Sequence, residues 1–236
     1  MKTIVHPNGT RGHADHGWLR TSHSFSFAQW QDSERMNFGA LRVLNDDFVA
    51  GGAGFGAHPH DNMEILSIPL SGALEHADNM GNQTVIRQGE VQIMSAGTGV
   101  VHSEKNHHST EEVQFLQIWV FPDERHLSPT YDQIKVPQTG DSGELPCIAS
   151  PDGSEGLHIH QNAWFYLGWM QEGGHQTHRM HAEGQGLYAF VLEGEAQIGG
   201  VALERRDAVG IWEVPEIEIE TAKDSQLLLM EVPMRW

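Results

Sequence analysis

The chain has 236 residues, 39% of them hydrophobic and 8% aromatic, enough to bury one large core or two smaller ones. Its 14 basic residues stand against 32 acidic ones, a formal charge of −18, which disfavours a sequence-independent grip on nucleic-acid phosphates or anionic lipid. The N-terminus MKTIVHPNGTRGHADH lacks the apolar centre of a secretory signal, no apolar run spans a bilayer, and the single Cys147 cannot form an intramolecular disulfide, so a cytoplasmic protein of a reducing compartment is expected.

Taken in chain order, helix-period patterns are scarce, and short Val/Ile/Leu/Phe runs bounded by Gly, Asn, Asp and Pro recur from about residue 40 onward. Strands are predicted over LRVLN (41–45), EILSIPL (64–70), GALEHA (72–77), QTVIRQ (83–88) and EVQIMS (90–95). Further strands are predicted over VQFLQIWVF (113–121), LHIHQ (157–161), GLYAFVLEG (186–194) and LLLMEVP (227–233). The fold class is mostly β, with spacing that suits sandwiches or barrels rather than βαβ units. Cys147, in LPCIAS, reads as a small apolar filler rather than a nucleophile.

An internal echo accounts for the length. Residues 68–94 align with 190–212, Gly72 falling on Gly194 and Ile93 on Ile211, each half running strand, Gly turn, strand, polar turn, strand. The Gly-, Ser-, Pro- and Asp-rich segment 132–156 is the natural connection and, because it carries apolar stretches, is expected to be packed.

Two short stretches carry chemistry. In GAHPHDNME (56–64) an extended backbone puts His58 and His60 on one face and Pro59 on the other; in EVQIMSAGTGVVHSEKN (90–106), a strand, Gly turn and strand likewise put His102 and Glu104 on one face. Three imidazoles and a carboxylate suit one first-row transition metal and leave coordination positions open for chemistry.

The same residues resemble the cupin superfamily motifs G-x5-H-x-H-x3,4-E-x6-G and G-x5-P-x-G-x2-H-x3-N, with Gly52, His58, His60, Glu64 and Gly72 in the first and Gly89, Gly97, His102 and Asn106 in the second. One extra residue separates Glu64 from Gly72, Ser95 stands for the proline, and four residues rather than two separate Gly97 from His102. Those departures, with RGHADHGWLRTSHSFSF (11–27), FGALRVLNDD (38–47) and the span from HPHDNMEIL to SAGTGVVHSEKN, resemble the pirin family, a bicupin branch. The resemblance covers essentially the whole chain and is most specific over residues 11–121.

It implies two tandem cupin barrels: residues 1–131 as the metal-binding domain, and 132–236 as linker plus a second cupin without ligands. The implied metal ligands are His58, His60, His102 and Glu104, with Glu64 a neighbour, around one mononuclear divalent ion, iron(II) foremost and copper, manganese, nickel or zinc as alternatives. The implied activity resembles quercetin 2,3-dioxygenase, opening the flavonol heterocycle with O2 and releasing carbon monoxide, with Glu104 as general base and Glu64 as its rival. The alternative is a metal-dependent regulator acting through a protein partner. A monomer is expected, with neither nucleic acid nor membrane as a partner.

Other histidines have blander roles. His13, His16 and His23 are expected to satisfy backbone groups or line the site mouth, His76 to be a satisfied core histidine rather than to face the barrel interior next to the metal shell, and His107 and His108 to be solvated. In GGHQTHRMHAEG (173–184) the alignment sets Met180 and Ala182 where His58 and His60 stand, leaving His181 on the opposite face. Phe25, Phe27, Phe38, Phe55 and Trp30 are candidates for a pocket that takes a flat ring.

Overall fold

Apolar residues spaced at a period of two, punctuated by glycines that accept left-handed backbone, make strands and tight turns of most of this chain. The computed structural model describes residues 1–138 and 144–236; residues 139–143 of the connecting segment, expected to be packed, lie outside the described residues. Among the described residues the only helix is a 3-10 turn, Asn8–Thr10, and no helix is long and apolar enough to cross a membrane.

The first half runs β1 (Lys2–His6), β2 (Gly12–Asp15), β3 (Leu19–His23), β4 (Leu41–Val49), β5 (Gly54–His60) and β6 (Glu64–Ser71). It continues with β7 (Ala73–Asp78), β8 (Gln83–Arg87), β9 (Glu90–Ser95), β10 (Val100–Asn106), β11 (Val113–Val120) and β12 (Thr130–Lys135). The second half runs β13 (Cys147–Ser150), β14 (Leu157–His158), β15 (Trp164–Met170), β16 (His175–Arg179) and β17 (Gln185–Glu193). It ends with β18 (Glu195–Ile198), β19 (Val201–Glu204), β20 (Ala208–Trp212), β21 (Glu216–Thr221) and β22 (Ser225–Pro233).

Each half builds one barrel from a seven-stranded and a four-stranded sheet, ordered β12-β9-β6-β11-β4-β3-β2 with β5-β10-β7-β8, then β1-β20-β17-β22-β15-β13-β14 with β16-β21-β18-β19. The two orders are the same path through space, which is the duplication expected from residues 68–94 and 190–212. Gly72 and Gly194 mark equivalent turns, with φ of 72° and 87°. At Gly194 a Cβ would meet Ser225 Oγ at 2.3 Å, so only glycine fits. The halves also trade edge strands: β1 pairs with β20 of the second barrel, and β12, inside which residue 131 falls, pairs with β9 of the first.

The main core lies between the two large sheets. Leu66, Ile68, Leu116 and Ile118 from the first barrel meet Phe165, Tyr188, Phe190 and Met230 from the second in one buried cluster. Fully burying such a side chain is worth about 1.5–3 kcal/mol, so this face binds the barrels together. The inner faces differ. The second barrel is filled by Leu187, Ala189, Val191, Val209, Leu227 and Leu229. Inside the first, alternate positions are polar: Asn45 and Asp47 on β4, Ser67 on β6, Gln92 on β9, Gln117 on β11. A barrel lined this way cannot close on itself as a dry core, and it holds the site.

Candidate metal centre

Strands β5 and β10 are antiparallel neighbours in the four-stranded sheet, with His102 opposite His58 and a register shift between His102 and Glu104. This local irregularity re-aims side chains at the sheet's rim. The His58, His60 and His102 rings converge, their centroids 4.9 Å apart for 58–60, 4.4 Å for 58–102 and 4.9 Å for 60–102. One ring nitrogen of each lies within 4.8 Å of the others.

The electrostatics suit a cation's arrival. Burial, then the neighbouring imidazoles, lowers the His102 pKa to about 3, and burial foremost lowers that of His60 to about 4. Both rings are therefore neutral near pH 7 and offer lone pairs. His58 Nδ1 donates to the Gly56 carbonyl at 2.8 Å, which leaves Nε2 as its free nitrogen. His102 is 1% exposed, yet neither of its ring nitrogens has a partner. A buried polar group in that state costs free energy, and an ion held by the three rings removes the cost. The residues present fit a divalent transition metal.

Glu104 is 2% exposed and falls into a second group of facing donor atoms with His76 and His102, again within 4.8 Å. Its Oε1 accepts from Ser67 Oγ at 2.7 Å and its Oε2 from Gln117 Nε2 at 2.6 Å. Burial raises its pKa against the pull of these donors. His76 is fully buried and bonded through Nε2 to Asp78 at 2.9 Å, but its Nδ1 has no partner and its ring stands 5.4 Å from that of His102, so it is not the satisfied core histidine expected and lies beside the donor cluster instead.

Glu64 is a correction. Parity with His60 would hold only along an unbroken strand, and the chain turns between β5 and β6, where Asn62 adopts φ 48° and its N–H donates to the Gly97 carbonyl. Glu64 consequently shares the outer face with Leu66 and Ile68, and its Oε2 accepts from Ser95 Oγ at 2.7 Å and from the His160 N–H at 3.1 Å. It belongs to the junction between barrels, where burial raises its pKa to about 7.

A cavity of about 760 Å³ opens onto His58, His60 and Glu104. Its apolar wall is Trp18, Phe27, Trp30, Phe55 and Trp119, the last edge-to-face with His60 at 4.9 Å. Phe25 and Phe38, also candidates for this wall, instead pack in the inter-barrel core, because they sit on its side of the chain. His13, His16 and His23 do line the cavity. Sequence reasoning missed Thr21, Asn45, Asp47 and Gln117, which complete it. The signal was there: in LRVLNDDFV, polar residues at 45 and 47 share a parity inside an otherwise apolar strand. Burial raises the Asp47 carboxyl pKa to about 7, partly offset by a hydrogen bond from Thr21.

In the second barrel His178 and His181 both turn to the fully buried Glu231, at 2.7 and 2.9 Å, and Trp164 stacks on His181 with centroids 3.9 Å apart. Burial works against ionisation of Glu231, but the two histidines outweigh it and hold its pKa below the usual carboxylate range. Cys147 is half-buried, and burial pushes its thiol up to about 11, as befits a filler.

Comparison with known proteins covers both barrels. The pirin family model matches residues 5–120, and the model for the quercetinase C-terminal cupin domain matches residues 147–232. The quercetin 2,3-dioxygenase of Escherichia coli K12 is 42% identical over 224 residues, 94% of this chain and 95% of that protein. A pirin-like protein of Caulobacter vibrioides is 37% identical over 93% of this chain and 95% of its own length. The crystal structure of the bacterial pirin YhhW from Escherichia coli in complex with nickel(II) superposes with a TM-score of 0.93 at 39% identity, covering 98% of this chain and 99% of that one. With the histidine-bearing strands inside the first match and the second barrel inside the other, this chain belongs to the pirin family.

Proposed function

We propose that the protein is a metal-dependent dioxygenase that opens the heterocyclic ring of a flavonol with O2 and releases carbon monoxide. The observation that carries this is the buried, unpartnered His102 beside His58 and His60 at the end of an aromatic-walled cavity. The activity named for the Escherichia coli relative supports it. A cavity reaching the histidines also favours an enzyme over a regulator, which needs no substrate access.

In this reading His58, His60 and His102 offer imidazole nitrogens and Glu104 a carboxylate oxygen to one mononuclear divalent ion, iron(II), the same donors also suiting copper, manganese, nickel or zinc. When bound there, the ion supplies Lewis acidity for the deprotonated 3-hydroxyl and redox capacity for dioxygen. The chain's own groups do the rest. Glu104 takes the 3-hydroxyl proton on a carboxylate oxygen, its basicity raised by burial while Ser67 and Gln117 hold its plane. Trp119 fixes the His60 ring from the side. Trp18, Phe27, Trp30 and Phe55 hold a flat ring system and exclude bulk water.

An oxygen electrode decides the matter on protein loaded separately with iron, copper, manganese and nickel. Saturable, flavonol-dependent O2 uptake with carbon monoxide release is expected from at least one form and is abolished by a chelator. Glu104→Gln, checked for metal content, is expected to lower turnover by about 100-fold while changing flavonol affinity far less, as the loss of a general base does. Absence of uptake in every loaded form would reject the proposal.

A further inference from the structure

The wall of the cavity formed by β3 and β4 carries polar groups for which the chemistry above has no use. In that ladder Thr21 stands opposite Asp47 and His23 opposite Asn45, so four polar side chains share one inner face. Nδ1 of His23 donates to Asn45 Oδ1 at 2.8 Å and also lies 3.4 Å from Thr21 Oγ1. Asp47 differs. It is 4% exposed and takes a hydrogen bond from Thr21, but its Oδ1 has no partner although the residue lines the cavity.

Position adds meaning to that orphaned oxygen. The histidines lie on β5 and β10, neighbours within the four-stranded sheet, whereas Asp47 lies on β4 of the seven-stranded sheet. A flat molecule anchored at the histidines therefore has this carboxyl on the other side of the barrel. A buried acceptor without a donor costs about 1–3 kcal/mol, which a ligand O–H placed there recovers.

We propose that Asp47 is a substrate-binding residue whose Oδ1 accepts a hydrogen bond from a second phenolic hydroxyl of a ring system whose first hydroxyl sits at the histidine cluster. This rests on the flavonol reading and narrows it to polyhydroxylated flavonols. A site built to bond a hydroxyl rejects the analogue lacking it, because the buried partner is then left unpaired. The Asp47 carboxyl is thus the selector, and the aromatic walls, which hold any flat ring, are not.

The test is binding, read without turnover. Quercetin and 3-hydroxyflavone, which share the 3-hydroxyl and differ in the remaining ones, are titrated anaerobically into metal-free and nickel-loaded protein, following quenching of the cavity tryptophans. Wild type, Asp47→Asn and Asp47→Leu are compared after circular dichroism has confirmed folding. In Asp47→Asn, Thr21 keeps the side-chain carbonyl and the amide turns a donor toward the cavity; Asp47→Leu removes both roles. The preference for quercetin over 3-hydroxyflavone is expected to fall about tenfold in each variant, the equivalent of about 1.4 kcal/mol. If Asp47→Leu does not fold, Asp47→Asn decides. A preference that survives while both affinities fall together, or do not fall, overturns the role of Asp47 alone. Wild-type protein that binds neither compound overturns the flavonol reading and this assignment with it.

Discussion

His102 has two ring nitrogens and no partner for either, in a setting where only 1% of its surface meets solvent. Such a side chain weakens the metal-free protein by about 1–3 kcal/mol relative to a well-packed apolar residue. His102→Leu is accordingly expected to melt at or above the wild-type temperature without metal, and to lose the rise in melting temperature that wild type shows when nickel(II) or iron(II) is added. Scanning calorimetry on both proteins, with and without metal, checks this. A metal-induced rise retained in the variant would remove His102 from the ligand set. The alternation of His58, Pro59 and His60, and of His102, Ser103 and Glu104, was legible in the sequence because parity along a strand is local. Asp47 was harder to read, since its neighbours Asp46 and Phe48 obscure the pattern, and Asp46 points the other way to meet Arg206 at 3.1 Å.

At the scale of elements, the turn between β9 and β10 sets where His102 points. Gly97 there has φ 46°, and a Cβ would meet the Leu127 carbonyl oxygen at 2.1 Å, while the Thr98 N–H donates to that same oxygen at 2.9 Å. Gly97→Ala is expected to cost about 2 kcal/mol or more, from strain plus a carbonyl that must move, and to weaken metal binding. Gly9→Ala, where nothing lies within 4 Å and φ is not positive, is the control and should stay within about 0.5 kcal/mol. Urea melts of the two variants measure the difference. Of the expected strands, 90–95 coincides with β9, and 64–70, 83–88 and 186–194 agree with β6, β8 and β17 to within a residue or two, because apolar runs and Gly boundaries marked them. The 157–161 strand shrinks to Leu157–His158, where the chain leaves the sheet to bring the His160 N–H to Glu64. Among the strands outside the expected set are β1, β3, β15 and β21. Their short or mixed patterns become strands only through partners distant in sequence, as β1 does on β20.

At the scale of the whole molecule, the junction of the barrels contains a titrating group. Burial raises the Glu64 pKa from 4.5 to about 7 in the folded protein. Because the folded pKa is the higher one, its contribution to stability is full below about pH 4.5 and is lost as pH rises through about 7. Glu64→Gln can still accept from Ser95 and the His160 N–H, and carries no charge to desolvate. The stability of this variant relative to wild type is therefore expected to grow between pH 5 and pH 8, on the order of 2–3 kcal/mol, since one pKa unit is worth about 1.4 kcal/mol. Melting temperatures across that range test it, and a constant difference would refute it.

The amino-acid sequence by itself determined that this chain is a duplicated β protein whose motifs resemble those of the pirin family. That it is a duplicated β chain, and that two short stretches each turn a pair of donor side chains to one face, needed no family. Both follow from local periodicity and from glycines whose backbone other residues cannot adopt. Tertiary structure alone decided that Glu64 faces the other barrel, that His76 stands beside His102, that Asp47 faces the cavity, and that the second barrel is filled where the first is hollow. The reason is that a side chain's parity is set within its own strand, but what that face meets depends on register and pairing between strands far apart in the chain.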